Sequence, residues 1–357
     1  MIRLQIRPVW RFRSESSERD FDFQLVSILA GLEASGKLTQ AAEQAALSYR
    51  HAWNLVAEWE AFFGARLVEK VKGRGSKLTP LGKRLLWAGR RAQARLAPEL
   101  ENLAGEFAAA LNEALEERSP ALAMHASHDY AVALLRDLLA EGESPIALQY
   151  KGSFDALASL RRGECDLAGF HLPDGPLGAL LAQRYDECLP PDAGLIAFVT
   201  REQGLIVRAG NPKQVAGVAD FCREGVRMVN RQRGSGTRAL LEFMISSQGL
   251  DRARMDGYEN EEITHGAVAA LIAGNQADVG FGVQAAAAQY SLGFVPLCRE
   301  RYYLACAGSS LVSAPMDQLL RTLRGAAFRE RVAQLPGYSA ERAGEVVDRI
   351  EPHAVPG

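Results

Sequence analysis

A single run of helix-forming sequence divides the chain into two parts and constrains its fold more than any other feature. Between Pro80 and Glu117 the sequence is rich in Ala, Leu, Glu and Arg and has almost no turn-forming residues. Its apolar residues recur at steps of three and four, which predicts a long amphipathic helix with an apolar seam. Since 357 residues are too many for one compact core, we expect a domain on each side of this helix.

The composition is that of an ordinary globular protein. Hydrophobic residues make up 48% of the chain and charged residues 24%, which excludes an intrinsically disordered protein. No stretch approaches the roughly 18 consecutive apolar residues of a membrane helix, and the N-terminus lacks an apolar core of signal-peptide length. The five cysteines lie at least eight residues apart, which excludes a CxxC zinc site and argues against a disulfide framework. The sequence therefore predicts a cytoplasmic protein with no membrane partner.

Positive charge is concentrated where the helical run begins. Residues 64–95 contain ten basic side chains and one acidic side chain, although the formal net charge of the whole chain is −2. A basic block of this density predicts a surface that binds the phosphates of nucleic acid. The alternative is a solvated helix face.

The residues before and around this block have the pattern of a helix-turn-helix. Apolar residues recur at helical spacing over residues 21–34, and a second short helix is predicted from Thr39. Ser48 is a suitable N-cap for a third helix, whose N-terminal face would meet DNA base edges. Trp53 and Trp59 are expected in the core, because double-stranded DNA offers no free base face. The predicted base-reading face carries Ser48, Tyr49, Arg50, His51 and Asn54.

A two-stranded wing is predicted after the third helix. Residues 66–79 alternate in polarity and are interrupted at Gly73 and Gly75. The tip of such a wing contacts the sugar-phosphate backbone, which positions the domain without specifying sequence. The side chains expected at the tip are Lys72, Arg74, Ser76 and Lys77.

Three motifs of this region are characteristic in combination: Thr39-x-Ala41-Ala42, Ser48-Tyr49-Arg50-His51-Ala52-Trp53 and Leu78-Thr79-x-x-Gly82. They resemble the DNA-binding domain of the molybdate-responsive ModE regulators, which are relatives of the LysR-type winged helices. LysR-type domains usually carry a serine where Trp53 stands, so Tyr49 and Trp53 favour the ModE side. The resemblance covers about residues 21–90. It implies that double-stranded DNA is a partner and that three side chains enter its major groove: Arg50, His51 and Asn54.

The apolar seam of the long helix favours pairing with a second copy of the chain. A homodimer or higher homo-oligomer would bury the seam and span two DNA half-sites, whereas the alternative is that the seam packs on its own domain. Pro98 removes one backbone hydrogen bond and is expected to kink or break the helix near Arg95. The seam comprises Leu81, Leu85, Ala88, Ala92, Leu96, Leu100, Leu103, Phe107, Leu111 and Leu115.

Past Pro120, short apolar strands alternate with helical segments, which predicts an α/β fold. The strands are expected at residues 121–124, 146–149, 166–170, 194–199, 227–230 and 278–281. The helices are expected at residues 130–140, 153–162, 237–247 and 265–273.

Four strand-to-helix junctions of this part are small and polar. Hydroxyl groups and glycines at helix starts expose backbone N–H groups and the positive end of the helix, which suits an anion. Four such junctions at the ends of strands, where open α/β sheets bind ligands, predict a binding site. The junction residues expected to bind are Ser127, His128, Lys151, Ser153, Arg233, Gly234, Ser235, Gly236, Thr237, Thr264 and His265.

Charge partners and hydrogen-bond donors for such an anion are also expected. Lys151 and Arg233 are the expected charge partners, and His171 and His265 are expected to donate hydrogen bonds to the anion. The alternative for both histidines is that they stabilise loops.

Several other chemistries are excluded by spacing. The run Gly234-Ser235-Gly236-Thr237 lacks the spacing of a nucleotide-hydrolysing Walker loop. The sequence has no GxSxG elbow, no HExxH motif and no close carboxylate pair, so no enzyme is predicted. His125 and His128 are separated by two residues and would face opposite ways at the end of a strand, so neither a metal nor a cofactor is expected.

Three longer motifs lie in this part of the chain. Residues 152–172 begin with Gly-Ser-Phe-Asp and end with His171-Leu172. Residues 231–238 read Arg-x-Arg-Gly-Ser-Gly-Thr-Arg, and residues 264–270 read Thr-His-x-Ala-Val-Ala-Ala. They resemble the bilobal type 2 periplasmic-binding-protein fold, in the cytoplasmic form related to molybdate- and tungstate-binding proteins. The resemblance covers about residues 120–325 and implies two lobes that close on a ligand, joined by crossovers near Thr200 and Arg301. It departs from ModE regulators, which normally carry a small β-barrel sensor after the winged helix.

These patterns together predict a one-component DNA-binding transcription regulator whose C-terminal cleft senses a small oxyanion. Molybdate or tungstate is the first choice, because both halves resemble proteins connected with that chemistry. Formate, sulfate or another small anion is the alternative within the same class, and a cytoplasmic solute-binding protein is the alternative outside it. The expected domains are a winged helix-turn-helix at 1–79, a linker and dimerisation helix at 80–118, and a bilobal ligand-binding domain at 119–357.

Overall fold

The two halves of the chain adopt different architectures on either side of one long helix. The computed structural model describes residues 4–15, 17–71, 75–115, 122–142, 146–348 and 350. A helical domain with small hairpins precedes the long helix, and a two-lobed α/β domain follows it, so the predicted fold class is confirmed. Among the described residues, no helix combines the length and apolarity needed to cross a membrane.

The N-terminal domain is a winged helix-turn-helix preceded by a hairpin. Ser48 caps the third helix as expected, since its Oγ accepts a hydrogen bond from the His51 N–H at 3.2 Å. The second helix begins at Leu38, one residue before the predicted start at Thr39, and has no side-chain cap. The elements are β1 (Trp10–Arg13), β2 (Glu18–Phe21), α1 (Gln24–Ser35), α2 (Leu38–Gln44), α3 (Tyr49–Phe63), β3 (Val68–Val71) and β4 (Gly75–Leu78).

The β1–β2 hairpin closes an aromatic cluster that the sequence reasoning did not predict. Phe12 and Phe21 place their ring centroids 5.4 Å and 5.1 Å from that of Trp59. Trp59 is 1% exposed, which confirms its predicted place in the core. The same prediction is wrong for Trp53, which is 46% exposed and lies under the Lys70 ammonium. Six residues are not a whole number of helical turns, so the two indoles lie on different faces of α3.

The long helix α4 runs from Pro80 to Ala114 and is one continuous helix of 35 residues. The expected break near Arg95 is therefore wrong, and the predicted end of the linker at residue 118 lies outside the described residues. Pro98 has no N–H, so it leaves the carbonyl of Ala94, four residues earlier, without its helical partner. That carbonyl accepts a hydrogen bond from the Thr264 hydroxyl at 3.0 Å instead. A contact with the following domain thus replaces the hydrogen bond that proline removes.

Helix α4 packs on both domains. A Cβ at Gly89 would lie 2.6 Å from Val26, so the absence of a side chain there brings α4 against α1. Toward the C-terminus its apolar seam is only partly covered by its own chain. The seam residues that remain exposed are Leu96 at 37%, Leu103 at 45%, Phe107 at 56% and Leu115 at 55%.

The C-terminal domain is built on one mixed sheet that runs through two lobes. Its strand order is β10-β9-β11-β8-β12-β7-β5-β6, so β8 and β12 lie at the centre and belong to both lobes. They pair antiparallel over most of their length, and Arg301 lies opposite Thr200, which confirms the predicted crossovers. The strands are β5 (Leu122–Ala126), β6 (Ile146–Tyr150), β7 (Leu167–Pro173), β8 (Ala193–Val207), β9 (Met228–Arg231), β10 (Glu261–Glu262), β11 (Val279–Val283), β12 (Gly293–Ala307), β13 (Tyr338–Ser339) and β14 (Val346–Val347).

The helices of this domain cover the sheet and start at the ends of its strands. All four predicted helices are observed, within a few residues of the expected bounds. Two helices that were not predicted follow β12 in the chain, and they pack against α5 in the first lobe. The helices are α5 (Tyr130–Glu141), α6 (Ser153–Arg161), α7 (Pro176–Cys188), α8 (Gly236–Ser247), α9 (His265–Ala273), α10 (Gln284–Gln289), α11 (Ala314–Arg324) and α12 (Ala326–Ala333).

The contrast between the two indoles of α3 gives a stability prediction. Trp59→Ala should lower the free energy of unfolding by about 3–5 kcal/mol, because it empties the aromatic cluster. Trp53→Ala, the matched control on the same helix, should change it by less than about 1 kcal/mol. Urea unfolding followed by tryptophan fluorescence measures both, since all four tryptophans lie before residue 90. Equal losses in the two variants would contradict this packing.

Candidate DNA-binding and anion-binding sites

The face of α3 that was predicted to read DNA is open to solvent. Tyr49 is 52% exposed, and Arg50, His51 and Asn54 are also exposed. Ser48 uses its hydroxyl as the helix cap. The exposed side chains at the start of a capped helix can therefore approach the floor of a major groove.

The wing contributes basic side chains next to this face. Lys77 on β4 is exposed and lies 3.3 Å from Glu69 on β3, which is the residue paired with it across the hairpin. Ser76 is also on β4, and its N–H bonds to the Gly36 carbonyl at 2.7 Å. The predicted phosphate contacts Lys72 and Arg74 lie outside the described residues.

The basic block does not form one continuous surface, which corrects the interpretation of its charge as a single phosphate-binding footprint. Arg90 stacks over Tyr290 of the C-terminal domain at 5.2 Å from the ring centroid. Arg91 and Arg95 place their Nε atoms 2.6 Å and 3.5 Å from the carboxylate of Glu262. These three arginines follow the helical repeat of α4 toward the C-terminal domain, so they are directed away from the wing.

A cleft of about 1040 Å³ separates the two lobes. The loop after β6 lines one wall, and the loops around α8 and residues 252–260 line the other. Five of the predicted ligand-binding residues lie on its walls, namely Ser153, Arg233, Gly234, Ser235 and Gly236.

Hydroxyl groups at the helix starts are largely engaged in capping. Ser235 accepts a hydrogen bond from the Arg238 N–H at 3.1 Å, and Thr264 accepts one from the Ala267 N–H at 3.0 Å. Since the Thr264 hydroxyl also donates to Ala94, its proton is not free for a ligand. The Ser235 proton has no such acceptor among the described residues.

Arg201 forms a closed ion network beneath the cleft. Its guanidinium donates to Asp129 at 2.6 Å and to Glu300 at 2.7 Å and 2.9 Å. Gln203 donates to the same Glu300 oxygen at 2.6 Å, and Tyr338 donates to Asp129 at 2.8 Å. Because the Arg201 guanidinium is bound by both carboxylates, it is not available to a ligand. The network links β8, β12 and the start of α5.

Arg231, at the end of β9, is the contrasting case. It is 8% exposed, and its Nη1 has no hydrogen-bond partner among the described residues. Its Nη2 donates to the Ile263 carbonyl at 2.9 Å. Burial, reinforced by the nearby charge of Arg201, lowers the pKa of Arg231 to about 10. A buried guanidinium with a free N–H group is a strong indication of an anionic partner.

Two predicted histidines face the same interior. His171 Nε2 and His265 Nδ1 are buried and have no hydrogen-bond partner among the described residues. Burial, with the charges of Arg201 and Arg231, holds the pKa of both histidines well below 6.5. Gly282 leaves space here, since a Cβ at that position would lie 3.0 Å from His265 Nδ1. Neutral imidazoles in this setting can each offer one N–H group to an anion.

Two further predicted residues lie at the edges of this interior. The His128 ring lies against that of Tyr150 in a tilted geometry with centroids 5.0 Å apart, and burial lowers the pKa of His128. Thr237 is buried and receives the Gln203 amide at 3.4 Å, so it contacts the buried network.

The remaining predicted residues lie away from the buried cations. Lys151 donates to Ser159 at 3.2 Å, and its charge acts on His125. The Ser127 carbonyl accepts a hydrogen bond from Tyr302 at 3.5 Å. Arg233 is 73% exposed at the cleft mouth and lies 2.9 Å from Glu259. The two residues predicted as charge partners are thus engaged elsewhere, while Arg231 was not predicted.

The sequence contained a weak signal for Arg231. It stands at the carboxyl end of a predicted strand, two residues before Arg233, and open α/β sheets bind ligands at that edge. Sequence reasoning could not show which arginine points inward. No group of three or more His, Cys, Asp or Glu side chains in the described part of the chain is arranged to hold a metal ion.

Two family models match the chain, one to each half. Residues 136–324 match the model described as PBP superfamily domain, and residues 23–83 match that of the bacterial regulatory helix-turn-helix protein, lysR family. The first match covers more than half of the chain. The chain belongs to the PBP superfamily. Its LysR-type helix-turn-helix makes it a DNA-binding transcription regulator with a PBP-like effector domain, which is a non-enzymatic class.

Two relatives are similar to parts of the chain. The chain is 33% identical over 210 residues to uncharacterized protein YvgK of Bacillus subtilis (strain 168), covering 57% of this chain and 66% of that relative's length. It is 29% identical over 112 residues to an uncharacterized protein in the ferredoxin 2Fe-2S gene 5′ region of Clostridium pasteurianum, covering 31% of this chain and 99% of that protein.

Solved structures that match most of the chain include an H2O2-bound mutant of Corynebacterium glutamicum OxyR. It is 16% identical, with a TM-score of 0.45, over 87% of this chain and 93% of that one. Vibrio fischeri DarR in complex with DNA is 15% identical, with a TM-score of 0.41, over 84% of this chain and 97% of that one.

The buried histidines predict a pH-dependent stability. Because the folded-state pKa of His171 and His265 lies below 6.5, the folded protein binds fewer protons than the unfolded chain as the pH falls below that value. The free energy of unfolding should therefore decrease below pH 6.5, by up to about 1.4 kcal/mol per pH unit for each histidine. Urea unfolding of the ligand-free chain at pH 7.5 and 5.5, followed by circular dichroism, measures this.

Substitution distinguishes these two histidines from the others. The double variant His171→Gln, His265→Gln should reduce the loss of stability at pH 5.5, whereas His51→Gln, on the exposed face of α3, should leave it unchanged. The same loss in all three proteins would show that other groups cause the pH dependence.

Proposed function

We propose that this regulator senses a small oxyanion, which binds between the lobes at the Arg231 guanidinium. The observation that carries the proposal is the buried Nη1 of Arg231, which has no partner among the described residues. Leaving a charged donor buried and unpaired costs several kcal/mol, of order 3–5 when one partner of a buried ion pair is missing. An anion in the cleft would remove that cost.

The donor set favours an anion that presents several oxygens. Arg231, His171 and His265 come from β9, β7 and α9, so their free polar atoms belong to both lobes. A tetrahedral oxyanion can accept hydrogen bonds from several directions and would bridge the lobes when they close. Molybdate or tungstate is our first choice, and sulfate, formate or another small anion is the alternative.

The remaining ligand-binding residues are proposed to surround this anion. Ser153, Arg233, Gly234, Ser235 and Gly236 line the path through the cleft. His128 and Thr237 border the buried network, while Ser127, Lys151 and Thr264 would support the loops around it. In this proposal Arg231 takes the role of charge partner that the sequence assigned to Lys151 and Arg233.

DNA recognition is proposed to use the exposed face of α3 and the wing. Arg50, His51 and Asn54 would read base edges, and Lys77 would bind phosphate together with Lys72 and Arg74. The exposed seam of α4 would pack against a second copy of the chain, as a homodimer that spans two half-sites. In this proposal residues 1–79 bind DNA, residues 80–118 form the linker, and residues 119–357 bind the effector.

The anion site is tested by a pair of arginine variants. Arg231→Gln should weaken anion binding by about 30-fold or more, because it removes a buried charge partner. Arg233→Gln, its exposed neighbour two residues away, is the matched control and should change affinity less than about threefold. Isothermal titration calorimetry of the full chain with molybdate, tungstate, sulfate and formate measures both and identifies the preferred anion.

Two results would contradict the anion site. Equal affinities of wild type and Arg231→Gln for every anion that binds would place the ligand elsewhere. Absence of heat with all four anions would remove the oxyanion assignment.

The two proposed kinds of DNA contact predict different effects. Arg50→Ala should lower affinity for a specific operator by about 1–3 kcal/mol and change binding to random DNA little. Lys77→Ala should weaken both and reduce the slope of log affinity against log salt concentration by about one. Fluorescence anisotropy at several salt concentrations measures these effects. Equal weakening on both DNAs by Arg50→Ala would show that α3 does not present this side chain to bases.

A further inference from the structure

Glu262 is a fully buried carboxylate beside the proposed anion site. It lies on β10, and in the parallel ladder it is the residue directly opposite Arg231 on β9. Side chains at opposed positions of neighbouring strands project from the same face of a sheet and lie within contact range. Glu262 is thus the natural internal counter-ion for Arg231, and its charge acts on that guanidinium.

The carboxylate nevertheless binds the linker helix rather than Arg231. Its Oε1 accepts a hydrogen bond from Arg91 Nε at 2.6 Å, and Oε2 lies 3.5 Å from Arg95 Nε. Oε2 has no hydrogen-bond partner among the described residues, and neither has Arg231 Nη1. A carboxylate oxygen held only by the 3.5 Å ion pair with Arg95 and a guanidinium N–H group without a partner therefore lie on neighbouring strands.

The linker is held at this corner by further contacts. Thr264, two residues after Glu262, donates to the Ala94 carbonyl that Pro98 leaves free. A Cβ at Gly266 would lie 3.3 Å from the Ala94 Cβ, so the start of α9 lies directly against α4. The position of Arg91 is consequently set by the packing of α4 against the start of α9.

We infer that the linker helix completes the anion site, with Arg91 as a positioning residue that holds Glu262 and keeps Arg231 free for the anion. The inference rests on the proposed function, because it assigns Arg231 to the effector. When α4 is docked, Glu262 is neutralised by Arg91 and Arg231 can receive the effector. When α4 is displaced, Glu262 loses its partner and pairs with Arg231, which closes the site to anions.

This exchange gives the effector a direct route to the DNA-binding domain. The anion and Glu262 compete for Arg231, while Arg91 and Arg231 compete for Glu262. Anion binding therefore favours the docked linker, and the docked linker favours anion binding by the same factor. The helix that carries the winged domain is the element whose equilibrium shifts.

The experiment is a rescue in the full-length chain, titrated calorimetrically with sodium molybdate and sodium tungstate. Arg91→Ala should weaken anion binding by about tenfold, because Glu262 then keeps only the 3.5 Å ion pair with Arg95 and pairs with Arg231. Adding Glu262→Gln to Arg91→Ala should restore affinity to within about threefold of wild type, since the amide no longer competes as a charge. Arg91→Lys should keep part of the wild-type anion affinity, because lysine retains the charge. Arg84 is an exposed arginine on the same helix, so Arg84→Ala should leave the affinity unchanged.

The double variant distinguishes a positioning role of Arg91 from damage to the fold by Arg91→Ala. If Arg91→Ala weakens binding and the double variant binds no better, Arg91 has only a structural role and the inference is wrong. Wild-type affinity in Arg91→Ala would equally overturn it.

A second measurement needs no anion and therefore separates this inference from the proposed function. Arg231→Gln removes the internal competitor for Glu262, so hydrogen exchange at the amides of α4 around Arg91 should be slower than in wild type. Arg91→Ala should make the same amides exchange faster. If wild type binds neither anion while the hydrogen-exchange rates change as expected, the competition of Arg91 and Arg231 for Glu262 stands and only the effector assignment fails. Unchanged hydrogen-exchange rates in Arg231→Gln would contradict that competition.

Discussion

The pairing of buried charges determines what the C-terminal domain can do. Among its buried arginines, Arg201 and Arg231 are paired in different ways. Arg201 is bound by two carboxylates and ties the central strands to the start of α5, whereas Arg231 has an N–H group without a partner among the described residues. Because a buried charge is costly unless it is paired, the first arrangement stabilises the lobes and the second creates a demand for an anion.

Strand order explains why that demand arises between the lobes. The two longest strands, β8 and β12, lie at the centre of the sheet, so relative movement of the lobes must bend them near Thr200 and Arg301. The unpaired atoms of His171 and Arg231 come from strands on opposite sides of this central pair. A ligand that satisfies both would therefore favour the closed arrangement over an open one.

The sequence was informative about local structure and about the edge of the sheet where a site should lie. Helical and alternating patterns located the three helices and the wing of the winged domain and six strands and four helices of the C-terminal domain. They missed the β1–β2 hairpin, the central strand β12 and helices α7, α10, α11 and α12. Ser48 identified the start of α3. One of the small polar junctions, around Ser235, lies on the wall of the cleft. These features depend on neighbouring residues, so local patterns are enough to predict them.

Predictions failed where the outcome depends on distant pairing. The role of Arg231 follows from the β9–β10 register and from the engagement of Glu262 by a helix 171 residues away in sequence. Composition predicts one basic surface, because it does not reveal that Arg90, Arg91 and Arg95 meet the other domain. Trp53 was assigned to the core by residue type, although the face of a helix decides exposure.

Pro98 lowers the helix propensity of the linker but leaves the Ala94 carbonyl free to bind the C-terminal domain. Any other residue at that position would return an amide proton to the Ala94 carbonyl and make the linker a better isolated helix. That amide proton would compete with the Thr264 hydroxyl for the same carbonyl oxygen at the corner of the effector domain. A substitution that improves the linker by the usual rules would therefore loosen the joint between sensor and DNA reader.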